Sequence, residues 1–159
     1  MSNLRIGFGF DVHRFTEDKK ALVLGGVNIP CGFGVEAVSD GDIILHAISD
    51  AILGATGLGD IGDYFPPESS FSQGIDSRVI VKEIKDKTKG YFIVNIDITL
   101  VTQKPRLVSY KNSIVISLKD IFHADNINLK IKSKENLPIL GGIDAIACFV
   151  VIMLETRYA

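Results

Sequence analysis

The stretch Gly7-Phe8-Gly9-Phe10-Asp11-Val12-His13 decides the fold and carries the first polar groups of a candidate site. It ends an apolar run from Leu4 and predicts a strand whose glycines let the backbone approach a ligand closely. Side chains two positions apart on a strand point to the same face. We therefore expect the Asp11 carboxylate and the His13 imidazole to reach one ion.

A second polar stretch, Ser39-Asp40-Gly41-Asp42, runs into His46 and Asp50. Asp42, His46 and Asp50 are spaced four residues apart among apolar residues, which predicts that they share one face of a helix. His46 is then the third ligand beside Asp11 and His13. Two histidines and one carboxylate suit zinc, and three protein ligands leave a fourth position open, as in catalytic zinc sites.

From the residues alone, each of these short motifs can be interpreted either as part of a metal site or as ordinary surface. An Asp-x-His pair also occurs as a surface pair. Asp50 either hydrogen-bonds a ligand histidine and sets its tautomer or is a solvated helix aspartate. The third histidine, His123, lies apart near a predicted helix end, where we expect it to cap carbonyl groups.

Length and charge restrict the classes of function. The 159 residues fit a single domain, 1–159, and 47% hydrophobic residues indicate a globular chain. A net charge of -2 provides no basic field for nucleic acid. The apolar run Ala145–Leu154 is about half of a membrane span, so no membrane partner is expected. An anionic ligand must therefore be bound by local groups.

The cysteine spacing and the N-terminal sequence bear on the expected cellular location. Cys31 and Cys148 show no metal-binding or redox spacing, which favours a reducing compartment. Strand-like sequence begins at Leu4, without room for a targeting segment. We expect a cytoplasmic bacterial location, or a plastid-type organelle if a transit segment was removed.

The periodicity predicts an α+β fold, with a mixed four- to five-stranded sheet and helices packed on one face. The predicted strands are Leu4–Val12, Ala21–Ile29, Tyr91–Val101, Ile127–Ile131 and Ala145–Leu154. The predicted helices run from near Asp42 to about Thr56, over Asp76–Lys89 and over Val108–Phe122, with an irregular loop at Gly57–Gln73.

Three details of this arrangement are also predicted. The strands Leu4–Val12 and Ala21–Ile29 are expected to pair as a ribbon. Ser39 or Asp40 is expected to cap the first helix. The continuous apolar run Ala145–Leu154 predicts a central strand that is buried on both faces.

Further blocks follow the two polar stretches in order along nearly the whole chain. They are Leu24–Pro30, Asp50–Ala55, Gly59–Pro66, Asp76-Ser77, Asn95-x-Asp97, Gln103-x-Pro105, Asn128-x-Lys130, Glu135 and Ile146–Cys148. Together the blocks resemble the 2-C-methyl-D-erythritol 2,4-cyclodiphosphate synthases of the non-mevalonate isoprenoid pathway. Several blocks in register are more specific than any single motif.

The resemblance implies the reaction and its cofactors. In this family the 2-phosphate of 4-diphosphocytidyl-2-C-methyl-D-erythritol 2-phosphate attacks the β-phosphate of its own diphosphate, which releases CMP. Zn2+ would be held by Asp11, His13 and His46, and Mg2+ or Mn2+ by Glu135. Ser133 and Glu135 are the implied catalytic residues. The resemblance also implies a homotrimer with active sites between subunits.

The resemblance further implies the substrate contacts. Asp60 to Phe65 match a loop for the methylerythritol part, Gln103–Val108 a cytidine pocket and Lys132–Glu135 a phosphate segment. The implied contacts are Val38, Ser39, Asp60, Ile61, Gly62, Phe65, Gln103, Lys104, Pro105, Arg106, Leu107, Val108, Lys132, Ser133 and Lys134. Without the resemblance, the first segment reads as a turn cluster, and Lys104 and Arg106 read as solvated surface.

The chain departs from the family pattern in three places. Val38 stands where the family has a histidine, Pro67 where it has an aspartate, and Gly141–Asp144 where it has Arg-Gly-Glu at the trimer centre. We expect Lys132 and Lys134 to add charge near the phosphates.

These departures leave three functional hypotheses. The first is the synthase, and the second is a catalytically impaired trimer that binds zinc and cytidine nucleotides. The third is a zinc phosphohydrolase with water as acceptor. It ranks last because the cytidine and sugar segments match the family as well as the metal segment does.

Overall fold

The structure, a computed structural model, describes residues 3–18 and 21–156. The strands are β1 Leu4–Thr16, β2 Leu22–Leu24, β3 Val27–Ile29, β4 Gly34–Val35, β5 Tyr91–Thr102, β6 Ile127–Lys132 and β7 Ala145–Thr156. The helices are α1 Ile43–Thr56, α2 Ile61–Tyr64, α3 Ser77–Lys87 and α4 Lys111–Phe122, with 3-10 turns at Ser70–Ser72 and Val108–Tyr110.

The main sheet has the strand order β4-β1-β7-β5-β6. The β5 and β6 strands are parallel, and the other pairs are antiparallel. This confirms the predicted α+β fold with a mixed sheet. The predicted ribbon is wrong, because β1 pairs with β4 and β7 while β2 and β3 form a separate hairpin. Gly25 and Gly26 have φ values of 57° and 76°, which allow the two-residue turn between β2 and β3.

Helix α1 packs against β1 at backbone contact distance. A Cβ atom on Gly7 would lie 1.8 Å from Ala51 O, and one on Gly9 would lie 1.9 Å from Ala47 O. Glycine is therefore needed at both strand positions for this approach to the helix backbone. The close packing brings the α1 side chains next to the polar end of β1.

We expect Gly9→Ala to destabilise the protein by about 1 to 3 kcal/mol, because the Ala47 carbonyl cannot move without shifting the helix. Chemical denaturation at fixed protein concentration measures the loss. Gly54→Ala is the matched control, since a Cβ there would lie 3.8 Å from Phe8 O, an ordinary contact. The control is expected to be neutral or stabilising by up to about 1 kcal/mol. Equal stability of the two variants would contradict the close-packing argument.

The cap of α1 differs from the prediction. Asp42, rather than Ser39 or Asp40, is the N-cap, and its side chain accepts hydrogen bonds from Ile44 N and Leu45 N. The Ser39 and Asp40 side chains instead accept from the backbone N–H groups of residues 41 and 42. At the end of α4, His123 adopts φ 51° and its backbone N–H donates to Lys119 O, as expected for a helix end.

The central strand β7 is buried on both faces over only part of its length. Ala145–Cys148 are buried, but Val151 is 45% exposed. Helix α1 packs against β1 and β7 from one side and leaves the other side of the two strands uncovered. Ile6, Phe8 and Phe10 on β1 extend this exposed apolar face, and the first two are 71% and 61% exposed.

The segment predicted as a loop at Gly57–Gln73 contains α2 and a 3-10 turn. The short helix escapes periodicity because four residues complete about one turn. Among the described helices, none has both the length and the apolar composition that crossing a bilayer requires.

Candidate metal centre

Asp11, His13 and His46 converge at the polar end of β1. One candidate ligand atom from each residue lies within 4.8 Å of those of the other two. Asp11 Oδ2 is 3.1 Å from His13 Nε2 and 3.2 Å from His46 Nδ1. The two imidazole rings are 6.0 Å apart between centroids. A carboxylate and two imidazoles thus surround one small volume.

The local fold explains this convergence. Alternation along β1 puts Asp11 and His13 on the same side of the strand as Gly7 and Gly9. That side faces α1, and the glycine contacts hold the helix close to the strand. His46, in the first turns of α1, is therefore within reach of a pair that lies 33 to 35 positions earlier in the chain.

The cluster favours a positive charge between its members. Burial by itself raises the pKa of Asp11, but the two neighbouring imidazoles outweigh burial and hold this pKa well below its ordinary value. Burial lowers the pKa of His46, but the hydrogen bond and charge of Asp11, with the charges of Asp42 and Asp40, raise it overall. Either a proton or a metal cation at this position would offset the negative charge of the nearby carboxylates.

The donor set fits a divalent metal ion. His13 Nε2 is buried and has no hydrogen-bond partner of proper alignment, although it lies near Asp11 Oδ2. A buried imidazole nitrogen without a partner is costly unless a cation or proton uses it. The side chains of Asp11, His13 and His46 are 22%, 17% and 15% exposed, so the cluster is half-buried and open on one side.

The second ring nitrogen of His46 is held by serine hydroxyls. His46 Nε2 lies 2.9 Å from Ser77 Oγ and 3.2 Å from Ser39 Oγ. Ser77 Oγ donates a short hydrogen bond to Asp40 Oδ1. Ser77 and Asp40 were missed as site residues, although both lie in blocks that match the family.

The predicted bond from Asp50 to a ligand histidine is not formed. Asp50 Oδ1 instead accepts a hydrogen bond of 2.9 Å from Ile61 N and joins α1 to the start of α2. The physical reason is that Ser77 and Ser39 already occupy the outer nitrogen of His46. Asp50 thus supports the start of α2, in the predicted sugar loop Asp60–Phe65, rather than the histidine.

A cavity of about 160 Å3 opens beside His13 and His46. Val38, Ser39, Ile61, Phe65 and Pro67 are among its lining residues. Of the predicted sugar contacts, Ile61 and Phe65 thus lie at the cavity. Asp60 is the N-cap of α2 in a reciprocal capping box with Asp63.

The predicted contacts in 103–108 and 132–135 form a second group, and none of them lines this cavity. Gln103 Oε1 accepts from Asn136 N at 3.1 Å and so joins the predicted cytidine segment to the residue that follows Glu135. Ser133 Oγ donates to Glu135 Oε1, and Glu135 has a φ of 51°. Around the cis Lys104-Pro105 bond, Arg106 and Val108 are exposed, whereas Leu107 is buried in the core.

Two lysines of this second group are already engaged. Lys104 Nζ lies 2.8 Å from Asp144 Oδ1. Lys134 is 1% exposed, and its Nζ donates to Leu140 O and Gly142 O at 3.3 and 2.6 Å. The prediction that Lys134 offers charge to phosphates is therefore wrong, because loop carbonyls bind its ammonium group. Lys132 is exposed and keeps that role as a prediction.

The fold and the cluster define an α+β protein with a site suited to a divalent metal. The YgbB family model matches residues 4–155. The chain belongs to the YgbB family, which confirms the resemblance that the sequence blocks carry.

Relatives with known names agree with this assignment. A 2-C-methyl-D-erythritol 2,4-cyclodiphosphate synthase from Fusobacterium nucleatum is 44% identical over 158 residues, which covers 97% of this chain and 98% of the relative. The Plasmodium falciparum IspF structure in complex with CDP has a TM-score of 0.83 and 35% identity, with 99% of both chains covered. The bifunctional IspDF of Campylobacter jejuni has a TM-score of 0.89 and 35% identity, and the match covers 96% of this chain and 42% of that protein.

Proposed function

We propose that this chain converts 4-diphosphocytidyl-2-C-methyl-D-erythritol 2-phosphate to 2-C-methyl-D-erythritol 2,4-cyclodiphosphate and CMP. The observation that carries the proposal is the convergence of Asp11, His13 and His46 beside a cavity lined by the predicted sugar loop. The names of its full-length relatives support the same reaction.

Zn2+ held by Asp11, His13 and His46 would act as a Lewis acid toward the β-phosphate. Because a phosphate monoester is already largely ionised near pH 7, the chain needs no strong general base. Its residues instead fold and orient a flexible anionic substrate, and such positioning can be worth about 7 to 11 kcal/mol. Ile61 and Phe65 would exclude water around the sugar, and Ser133 donates its hydroxyl proton to Glu135 and so keeps that carboxylate in position.

Glu135 would hold Mg2+ or Mn2+. It is an exposed carboxylate, and hard ions of this kind bind few carboxylates together with substrate phosphates. The hydrogen bond from Ser133 orients the Glu135 side chain. The hydroxyl thus holds the carboxylate on one turn of backbone, where Glu135 can bind the ion that contacts the diphosphate.

A homotrimer with shared sites is part of the proposal. The exposed apolar face formed by Ile6, Phe8, Phe10 and Val151 is suited to burial against other copies of the chain. The cavity at the metal cluster is lined by sugar-loop residues and by none from 103–108 or 132–135. Both facts support sites to which two neighbouring subunits contribute, with the CDP-bound relative as a guide to the nucleotide.

The proposal is tested by product analysis with the cytidyl substrate. We expect equimolar CMP and cyclic diphosphate in the presence of Zn2+ and Mg2+, and loss of both products after chelation. Phosphorus NMR separates the ring from linear products. A linear hydrolysis product would identify a zinc phosphohydrolase instead, and turnover that persists in a verified metal-free protein would reject the metal role.

Val38 favours a second candidate function, an impaired protein that binds zinc and cytidine nucleotides. Its side chain lines the cavity beside His46, where it can form no hydrogen bond with a reacting phosphate. CDP binding without turnover in the metal-loaded protein, with turnover restored in Val38→His, would support this candidate. Turnover by the unmodified chain would reject it.

A further inference from the structure

His46 Nε2, the ring nitrogen that points away from Asp11, contacts Ser77, and Ser77 in turn contacts Asp40. The proposed reaction uses neither Ser77 nor Asp40. Ser77 is fully buried at the start of α3, and its Oγ lies 2.9 Å from His46 Nε2. Asp40 lies in the loop before α1. Ser77 thus lies between the candidate metal ligand and a carboxylate.

The positions of the protons follow from the donors and acceptors. Asp40 Oδ2 accepts from Ser77 N at 3.1 Å, and Oδ1 accepts from both Ser77 Oγ and Asp42 N. An ionised carboxylate has no proton to give, so the single hydroxyl proton of Ser77 points to Asp40. The lone pairs of Ser77 Oγ can then only accept from His46 Nε2. The ring therefore carries a proton on Nε2, and its Nδ1 faces Asp11 Oδ2 at 3.2 Å, where a second proton or a metal cation lies between the two atoms.

We propose that Asp40 and Ser77 are positioning residues, which hold His46 in the tautomer that binds the metal through Nδ1. Outer hydrogen bonds of this kind orient a ligand imidazole and raise its basicity, and their loss typically weakens metal binding about 10- to 100-fold. Neither residue touches the metal or the substrate in this arrangement. The inference rests on the proposed metal site but is tested by metal binding, separately from turnover.

The hydrogen-bonded series Asp40–Ser77–His46, called the relay below, also connects three separate parts of the fold. Asp40 precedes α1, Ser77 begins α3 and His46 lies on α1, and Asp40 N additionally donates to Ile75 O at 3.0 Å. The buried hydroxyl is therefore held at its backbone and at its oxygen. Because this hydroxyl is fixed by the protein, the His46 ring keeps its orientation whether or not substrate is bound.

The test compares Zn2+ affinity of full-length variants by competition with a chromophoric chelator. We expect Ser77→Ala and Asp40→Asn each to weaken Zn2+ binding about 10- to 100-fold. In Asp40→Asn the amide nitrogen replaces one acceptor oxygen, so either the Ser77 hydroxyl or a backbone N–H loses its acceptor. Asp76→Ala is the matched control, because Asp76 caps the same helix end by accepting from Arg78 N. The control is expected to lower stability through the lost cap and to keep wild-type zinc affinity.

A spectroscopic readout separates this role from a merely structural one. Long-range hydrogen–nitrogen correlation spectra of the zinc-loaded wild type should show His46 bound through Nδ1, with a proton on Nε2. The chain has 3 histidines, which makes assignment by substitution practical. In the Asp40→Asn protein, the same spectra should show a mixed or inverted tautomer before zinc is added.

Two results would overturn the inference: ligation of His46 through Nε2 in the wild type, or unchanged zinc affinity in both relay variants. If Ser77→Ala does not fold, Asp40→Asn and the wild-type spectrum still decide the question. Absence of CMP release with an intact zinc-dependent tautomer would reject the proposed reaction while leaving the relay in place.

Discussion

His46→Ala is expected to reduce CMP release about a thousand-fold and to abolish stoichiometric Zn2+ binding. His46 is one of three converging ligands, and its removal leaves Asp11 and His13, which cannot hold a catalytic zinc ion tightly. A loss of about 4 kcal/mol of electrostatic stabilisation corresponds to this factor in rate. Steady-state CMP release and metal analysis of the purified protein measure the two effects.

The matched control is His123→Asn. His123 lies outside the cluster at the end of α4, in a left-handed conformation that asparagine tolerates. We expect wild-type zinc content and turnover from this variant. If His46→Ala keeps wild-type turnover, or if His123→Asn loses zinc to the same extent, the assignment of the cluster is wrong.

Asp42→Ala is expected to lower the free energy of unfolding by about 3 to 5 kcal/mol. The carboxylate is fully buried and accepts hydrogen bonds from Gly25 N at 2.8 Å and Gly26 N at 2.6 Å. It also accepts from Ile44 N and Leu45 N at 3.2 and 3.1 Å. Alanine would leave these backbone donors without their acceptor in a site closed to water.

Denaturant unfolding at one fixed protein concentration measures this loss, because association of the chains adds to apparent stability. Asp76→Ala again serves as control: its carboxylate caps α3 through a solvent-exposed hydrogen bond and is expected to contribute about 1 kcal/mol. Similar losses for the two variants would show that Asp42 acts only as a helix cap. A larger loss for Asp42→Ala supports its second role as the anchor of the β2–β3 hairpin.

Local periodicity predicted the elements that position the metal cluster. The two-residue alternation in β1 set Asp11 and His13 on one face, and the apolar spacing after Asp42 predicted α1. Both follow from backbone geometry, which acts over a few residues. The four-residue spacing of Asp42, His46 and Asp50 added the expectation that His46 joins the pair, and the family blocks identified the family.

Long-range packing decided what periodicity could not. Ser39, Asp40 and Asp42 are all good capping residues, and Asp42 caps α1 because the amides of the distant hairpin also need its carboxylate. The direction of the Lys134 side chain was equally open, since a flexible stem can reach either solvent or a loop carbonyl.

Spacing and residue identity were enough to predict the strand face, the first helix and the family. The pairing of β1 with β7 and the contact of Ser77 with His46 required the folded chain, because such contacts join elements far apart in the sequence. The glycine contacts between β1 and α1 link the two levels. Because Gly7 and Gly9 have no side chains, α1 packs close to β1, and this short distance brings His46 to Asp11 and His13.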